Sequence, residues 1–135
     1  MATSTIKYLG DLRTEATHIQ SGDKIITDAP LDNNGKGEAF SPTDLLATSL
    51  ASCMLTIMGI AARGRTINID GTTCEITKVM AAEPRRVSEI HAALNFVNPY
   101  TDKEKAVLEN AAKTCPVFYS LHPDIKKVIT FNYSG

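Results

Sequence analysis

The sequence predicts one domain, residues 1–135, in which strands and helices gather around a single long buried helix. Three observations carry this. The stretch Phe40–Arg65 is the longest apolar run in the chain. Short alternating segments separated by turn residues flank it on both sides, and a second helix announces itself with its own capping signature. At 135 residues, with 43% apolar residues, the chain is long enough to bury a real core.

Thr5–Leu9, Arg13–Ile19 and Lys24–Thr27 read as strands, and Gly10-Asp11 and Ser21-Gly22-Asp23 supply the turn chemistry of a small antiparallel meander. Asp28–Ala39, DAPLDNNGKGEA, reads as a loop suited to a lid or an arm over a neighbour. Its NGKGE lacks the spacing of a phosphate-binding loop.

The long helix starts at a marked place. Ser41 is a natural N-cap, Pro42 fits the first helical position, and Asp44 stands where a capping box puts its acid. Arg63, Gly64 and Arg65 predict the other end, with Gly64 as a left-handed stop. Between them the apolar residues point to all sides. A membrane span asks for about 20 apolar residues, and Thr48, Ser49, Ser52 and Thr56 interrupt this run. The expected place is therefore the axis of a core, with no membrane. Ser49, Cys53 and Thr56 share one face, so two hydroxyls flank a thiol in a stripe able to line a site.

Thr73–Met80 reads as a strand with Cys74 packed as a small hydrophobe. After the turn Glu83-Pro84-Arg85, Val87–Val97 alternates as a half-buried strand and leaves His91 on its polar face, without metal-ligand spacing. Thr101 and Glu104 form a capping box for a helix ending near Thr114. Cys115-Pro116 then makes Cys115 the N-cap of a short turn, and Ile125–Tyr133 closes the chain as a strand.

A formal charge of −1, from 14 basic and 15 acidic residues, offers no field for nucleic acid or anionic lipid. The N-terminal residues lack the apolar core of a signal peptide, and three cysteines form no zinc-like pair. A reducing cytoplasm is the expected compartment, where a pair of cysteines points to redox chemistry. The residues alone leave Cys53 between packing and reactivity. For Cys115, the partial positive charge at a helix start predicts a lowered thiol pKa.

SPTDLLATSLASC, residues 41–53, and KTCPVFYSLHPDI, residues 113–125, resemble the two cysteine motifs of the OsmC/Ohr family of organic hydroperoxide reductases. The order of elements agrees over most of the chain. The resemblance implies an α+β, OsmC-like fold: antiparallel sheets packed around the central helix in an intertwined homodimer. It makes Cys53 the peroxidatic thiolate, Cys115 the resolving thiol, and Arg13 the group that holds the thiolate. It implies an oxidative stress response, a hydroperoxide substrate and a lipoyl-type dithiol reductant, with neither metal nor cofactor.

One position departs from the pattern. The reductases carry a glutamate ten residues before the first cysteine, paired with the arginine, and this chain has Thr43 there. Asp44 is explained by capping, so the partner of Arg13 is unassigned, and His18 and Lys24 are further positive groups for activating Cys53. His122 is expected in a structural role before Pro123. Leu50, Met54 and Ile57 around Cys53 predict an organic ROOH over hydrogen peroxide. The expected function is a cysteine-based hydroperoxide reductase; the rival is a non-catalytic dimer that binds a small apolar ligand or senses redox state.

Overall fold

The computed structural model describes residues 1–134. The chain forms two compact units, Met1–Leu46 and a second beginning at Ala47.

In the first unit β1 (Ser4–Gly10), β2 (Arg13–His18) and β3 (Lys24–Asp28) form an antiparallel meander in sequence order. The turn between β1 and β2 is Asp11-Leu12, one residue later than the turn chemistry suggested. Both residues take positive φ, 54° and 64°. That conformation matches the twist of a tight hairpin, but a leucine adopts it against Cβ crowding. The Tyr8 hydroxyl accepts the Leu12 N–H at 3.2 Å and helps to hold it. Alternation places Ile6, Tyr8, Ala16 and Ile25 on one face and Lys7, Arg13, Glu15, Lys24 and Asp28 on the other. Ile6, Tyr8 and Ile25 are 63%, 64% and 51% exposed.

The loop after β3 is folded on itself. It contains a 3-10 turn, Leu31–Asn33, and Gly35 and Gly37 donate to the carbonyls of Pro30 and Ala29. A Cβ at Gly35 would fall 1.8 Å from the Ala29 carbonyl oxygen, so only glycine fits that close approach.

Helix α1 (Pro42–Arg63) starts with the predicted reciprocal box. The Ser41 N–H donates to Asp44 Oδ2 and the Asp44 N–H to Ser41 Oγ, each at 3.0 Å. At its other end the stop differs from expectation: Thr66, not Gly64, takes the left-handed conformation, with φ 59°. The Ile67 N–H reaches back to the Ala62 carbonyl at 2.9 Å, and buried Ile67 closes the apolar cap.

In the second unit α1 buries one stripe, not its whole circumference. Ala47, Leu50, Met54, Met58 and Ala62 join one core with Val87, Ile90, Ala92 and Leu94 of the sheet, Leu108 and Ala112 of the second helix, and Cys115. The opposite stripe of Leu46, Ser52, Thr56 and Ile60 is exposed. Composition predicted burial all round because it does not say what covers each face.

The second sheet, in order β4 (Thr73–Ala81), β5 (Arg86–Asn95) and β6 (Lys126–Asn132), is antiparallel except for one pair. β5 and β6 run parallel. That pairing requires a long return, supplied by α2 (Asp102–Ala112) and α3 (Pro116–Ser120). The Thr101–Glu104 capping box of α2 is present as predicted. Phe96 stacks on Tyr133 at 4.7 Å, and the Tyr133 hydroxyl donates to Glu109 at 2.7 Å, tying the C-terminal residues to α2.

Candidate active site

The second unit brings two of the three cysteines together. Cys53 lies half-buried in the middle of α1, and Cys115 is fully buried at the start of α3. The two thiols lie close enough for Cys53 to influence the ionisation of Cys115, and both are free. Residues far apart in sequence therefore place two sulfurs side by side, with one accessible and one enclosed.

Cys115 is held by its own helix. As N-cap, with Pro116 at the first helical position, its Sγ accepts the Phe118 N–H at 3.4 Å. The expected acidification of this thiol does not follow. Burial, the largest influence, pushes the Cys115 thiol up. The Phe118 N–H pulls it down by less, and the neighbouring Cys53 thiol adds to the rise. A five-residue helix has little dipole to set against complete desolvation. Cys115 is thus kept as a protonated thiol.

The hydroxyls of the Cys53 stripe are arranged differently from one another. The Thr56 hydroxyl donates to the Ser52 carbonyl at 2.8 Å, although its residue lines an open hollow of about 420 Å³ with Gly59, Ile60, Arg63 and Asn68. Ser49 is half-buried. Of the three apolar residues expected to meet a substrate, Leu50 and Met54 are fully buried in the core, and only Ile57 keeps an accessible surface. They turn away because the buried stripe of α1 is theirs.

Cys74, the third cysteine, packs against the same core from β4, and burial raises its thiol pKa, with Glu75 adding to the rise. His122 accepts the Asp124 N–H on Nδ1 at 3.0 Å, in the turn role expected. His91 lies 2.9 Å from Glu89 Oε1 and is part-exposed. Among the described residues no group of three or more His, Cys, Asp or Glu side chains is arranged to hold a metal ion.

Arg13 belongs to the first unit, and here the structure supplies what the sequence left unassigned. Its Nη2 lies 3.3 Å from Asp28 Oδ2 and 3.0 Å from Glu38 Oε1. Asp28 is its direct cross-strand partner in the β2–β3 ladder. The Glu38 N–H donates to Asp28 Oδ2 at 3.0 Å. That bond, followed by the Arg13 guanidinium, holds the Asp28 carboxyl below the usual carboxylate range despite the opposing effect of burial. Thr43 lies close to its own helix start, 3.2 Å from Ser41 Oγ. Lys24 pairs with Glu15 at 3.7 Å and His18 with Ser21 at 2.7 Å, each in a local contact. Sequence reasoning missed Asp28 and Glu38, which carry no motif; the one available signal was an acid at a strand end.

Comparison with known proteins agrees with this architecture. Residues 35–129 match the family model described as OsmC-like protein. No curated protein matches. The crystal structure of a Psychrobacter arcticus protein, described as an osmotic stress induced and detoxification response protein, is 62% identical. It superposes with a TM-score of 0.95 over 98% of this chain and 96% of that one. An OsmC like protein from Mycoplasma pneumoniae gives 21% identity and a TM-score of 0.82, covering 98% and 96% of the two chains. The organic hydroperoxide resistance protein OsmC of Legionella pneumophila gives 16% and 0.76, covering 98% of each. These two share the fold. From the family model, the 62% identity and the order of its elements, the chain belongs to the OsmC-like family.

Proposed function

We propose that the protein is a cysteine-based peroxidase that reduces organic hydroperoxides. The observation that carries this reading is the closeness of a half-buried Cys53 to a fully buried Cys115 at one core. The names of more distant relatives, organic hydroperoxide resistance proteins among them, support it at the level of the family.

The Cys53 thiolate attacks the distal oxygen of ROOH. The O–O bond breaks, the leaving alkoxide takes a proton to become ROH, and Cys53 is oxidised by two electrons to a sulfenic acid. The Cys115 thiol then attacks that sulfur, a disulfide forms and water leaves. A dithiol of lipoyl type reduces the disulfide by exchange and is itself oxidised. Because burial keeps Cys115 protonated, it does not compete for the peroxide and remains available for the second step. Arg13 serves as the cation that stabilises the thiolate, as the family resemblance implies.

The working molecule is a homodimer. A three-stranded sheet with three large apolar side chains more than half exposed is a poor solitary structure. On α1, Ile60 is 63% exposed and adds to the uncovered apolar area. The cytoplasm is the matching compartment, since both thiols must be reduced to begin.

Steady-state consumption of cumene hydroperoxide with dihydrolipoamide tests the reading. Multiple turnovers, abolished in Cys53→Ser, are expected; Cys115→Ser should stop after one equivalent with a sulfenic acid on Cys53. Absence of turnover in the native protein would overturn it, and consumption of at most one equivalent per site would favour a redox-sensing dimer.

A further inference from the structure

We propose that Asn34 is a hydrolytic modification site, converted through a cyclic imide to aspartate and isoaspartate each time the folded loop after β3 opens for long enough.

The reaction needs only the chain and water. The backbone nitrogen of Gly35 attacks the side-chain carbonyl carbon of Asn34 and gives up its proton, the bond from that carbon to the amide nitrogen breaks, and ammonia leaves. Water then adds to one carbonyl of the five-membered imide and opens the ring, which yields aspartate from one carbonyl and isoaspartate from the other. Nothing is oxidised or reduced. A glycine after the asparagine favours closure, because no Cβ crowds the attacking nitrogen. Of the asparagines in the chain, only Asn34 precedes a glycine.

One reactant is free and the other is restrained. Asn34 is exposed, and among the described residues no hydrogen bond holds its side-chain amide. Its backbone takes φ 69° and ψ 6°, a left-handed conformation that asparagine tolerates. At that ψ the Gly35 nitrogen is nearly eclipsed with the Asn34 nitrogen, whereas the imide ring requires it on the Cβ side. The Gly35 N–H is also committed to the Pro30 carbonyl at 3.0 Å, and the Ala29 carbonyl fills the space beside Gly35. Further bonds close the base of the loop. The Gly37 N–H donates to the Ala29 carbonyl at 3.1 Å, the Asp28 N–H to the Phe40 carbonyl at 3.1 Å, and the Glu38 N–H to Asp28 Oδ2 at 3.0 Å. Swinging the Gly35 nitrogen towards the Asn34 side chain breaks its bond to Pro30 and pulls the glycine out of its slot. The closed loop is therefore unreactive, and only the open fraction is converted.

The product cannot restore what was lost. Isoaspartate inserts a methylene into the backbone immediately before Gly35, where the approach to Ala29 leaves no slack. Either product adds a carboxylate to a loop that already carries Asp32 and Glu38. Opening is thus written into the covalent chain as a one-way change.

The test incubates the native protein, beside the same chain unfolded in urea, in water enriched in heavy oxygen near neutral pH. Mass spectrometry of the proteolytic peptide spanning Asn34 reads the loss of the amide and the uptake of label. Native conversion is expected at Asn34 and at no other asparagine, at the unfolded rate multiplied by the open fraction that hydrogen exchange of the Gly35 amide reports. A native rate more than about tenfold away from that product, in either direction, would overturn the proposal. Gly37→Ala loads the loop, since Gly37 has φ 64° and a Cβ there would meet Leu31 Cγ at 3.3 Å. It should raise Gly35 exchange and Asn34 conversion together, severalfold, and Asn34→Gln should abolish conversion. Faster exchange in Gly37→Ala without faster conversion would overturn the gating by the loop. Should Gly37→Ala fail to fold, the comparison of the native and unfolded chains decides alone.

Discussion

Replacing Ile6 by Ser probes the proposed dimer at the least protected row of the first sheet. Ile6, Ala16 and Ile25 lie side by side across β1, β2 and β3. Ile6 is 63% exposed in the single chain. Complete burial of an isoleucine contributes about 1.5–3 kcal/mol, so covering its exposed part contributes about 1–2 kcal/mol per copy. In a two-fold interface the same residue counts in both copies. The variant should therefore lose about 2–4 kcal/mol of association free energy, which weakens the dimer about 30- to 900-fold. Sedimentation velocity over a dilution series, from micromolar to nanomolar, reads this directly. Far-ultraviolet circular dichroism confirms that the variant keeps its secondary structure. A native chain that sediments as a monomer throughout, or a variant whose dissociation constant stays within about threefold of native, would refute the reasoning.

Two further predictions concern stability. Met58→Ala removes a fully buried side chain from the core of the second unit, and it is expected to destabilise by about 2–5 kcal/mol, read as a lower urea midpoint at unchanged slope. Asp28 gives a pH signature. Its folded pKa is lowered, so its contribution is present above the ordinary carboxylate pKa of about 3.9 and is lost as pH falls through the folded value. Urea titrations on the acid side should show stability falling as pH falls, with a shallower fall in Asp28→Asn.

Local chemistry was readable and distant chemistry was not. The capping boxes at Ser41–Asp44 and Thr101–Glu104 and the N-cap at Cys115 are each written within a few residues, and each forms as expected. The partners of Arg13 were not legible, because Asp28 reaches it through strand register and Glu38 through a chain reversal. The Cys115 pKa ran against expectation for a related reason: the helix start is local, whereas the burial that outweighs it comes from the whole core. Leu50 and Ile57 look alike as apolar neighbours of Cys53, yet the rotation of α1 encloses one and leaves the other accessible.

Cys115 holds two posts at once. Its sulfur is both the proposed resolving nucleophile and the acceptor that closes the first turn of α3. A neutral sulfur in a disulfide is a poorer acceptor than a thiolate, so the proposed cycle would tighten the grip on the Phe118 N–H when Cys115 becomes a thiolate and loosen it when the disulfide forms. A helix of five residues has few other bonds to keep it wound. The same short segment carries Phe118, whose ring lies under the Lys127 ammonium at 5.2 Å, and Tyr119, which is 70% exposed. Under the proposed cycle, a change of state at an enclosed sulfur would act on a segment that reaches the surface through Tyr119.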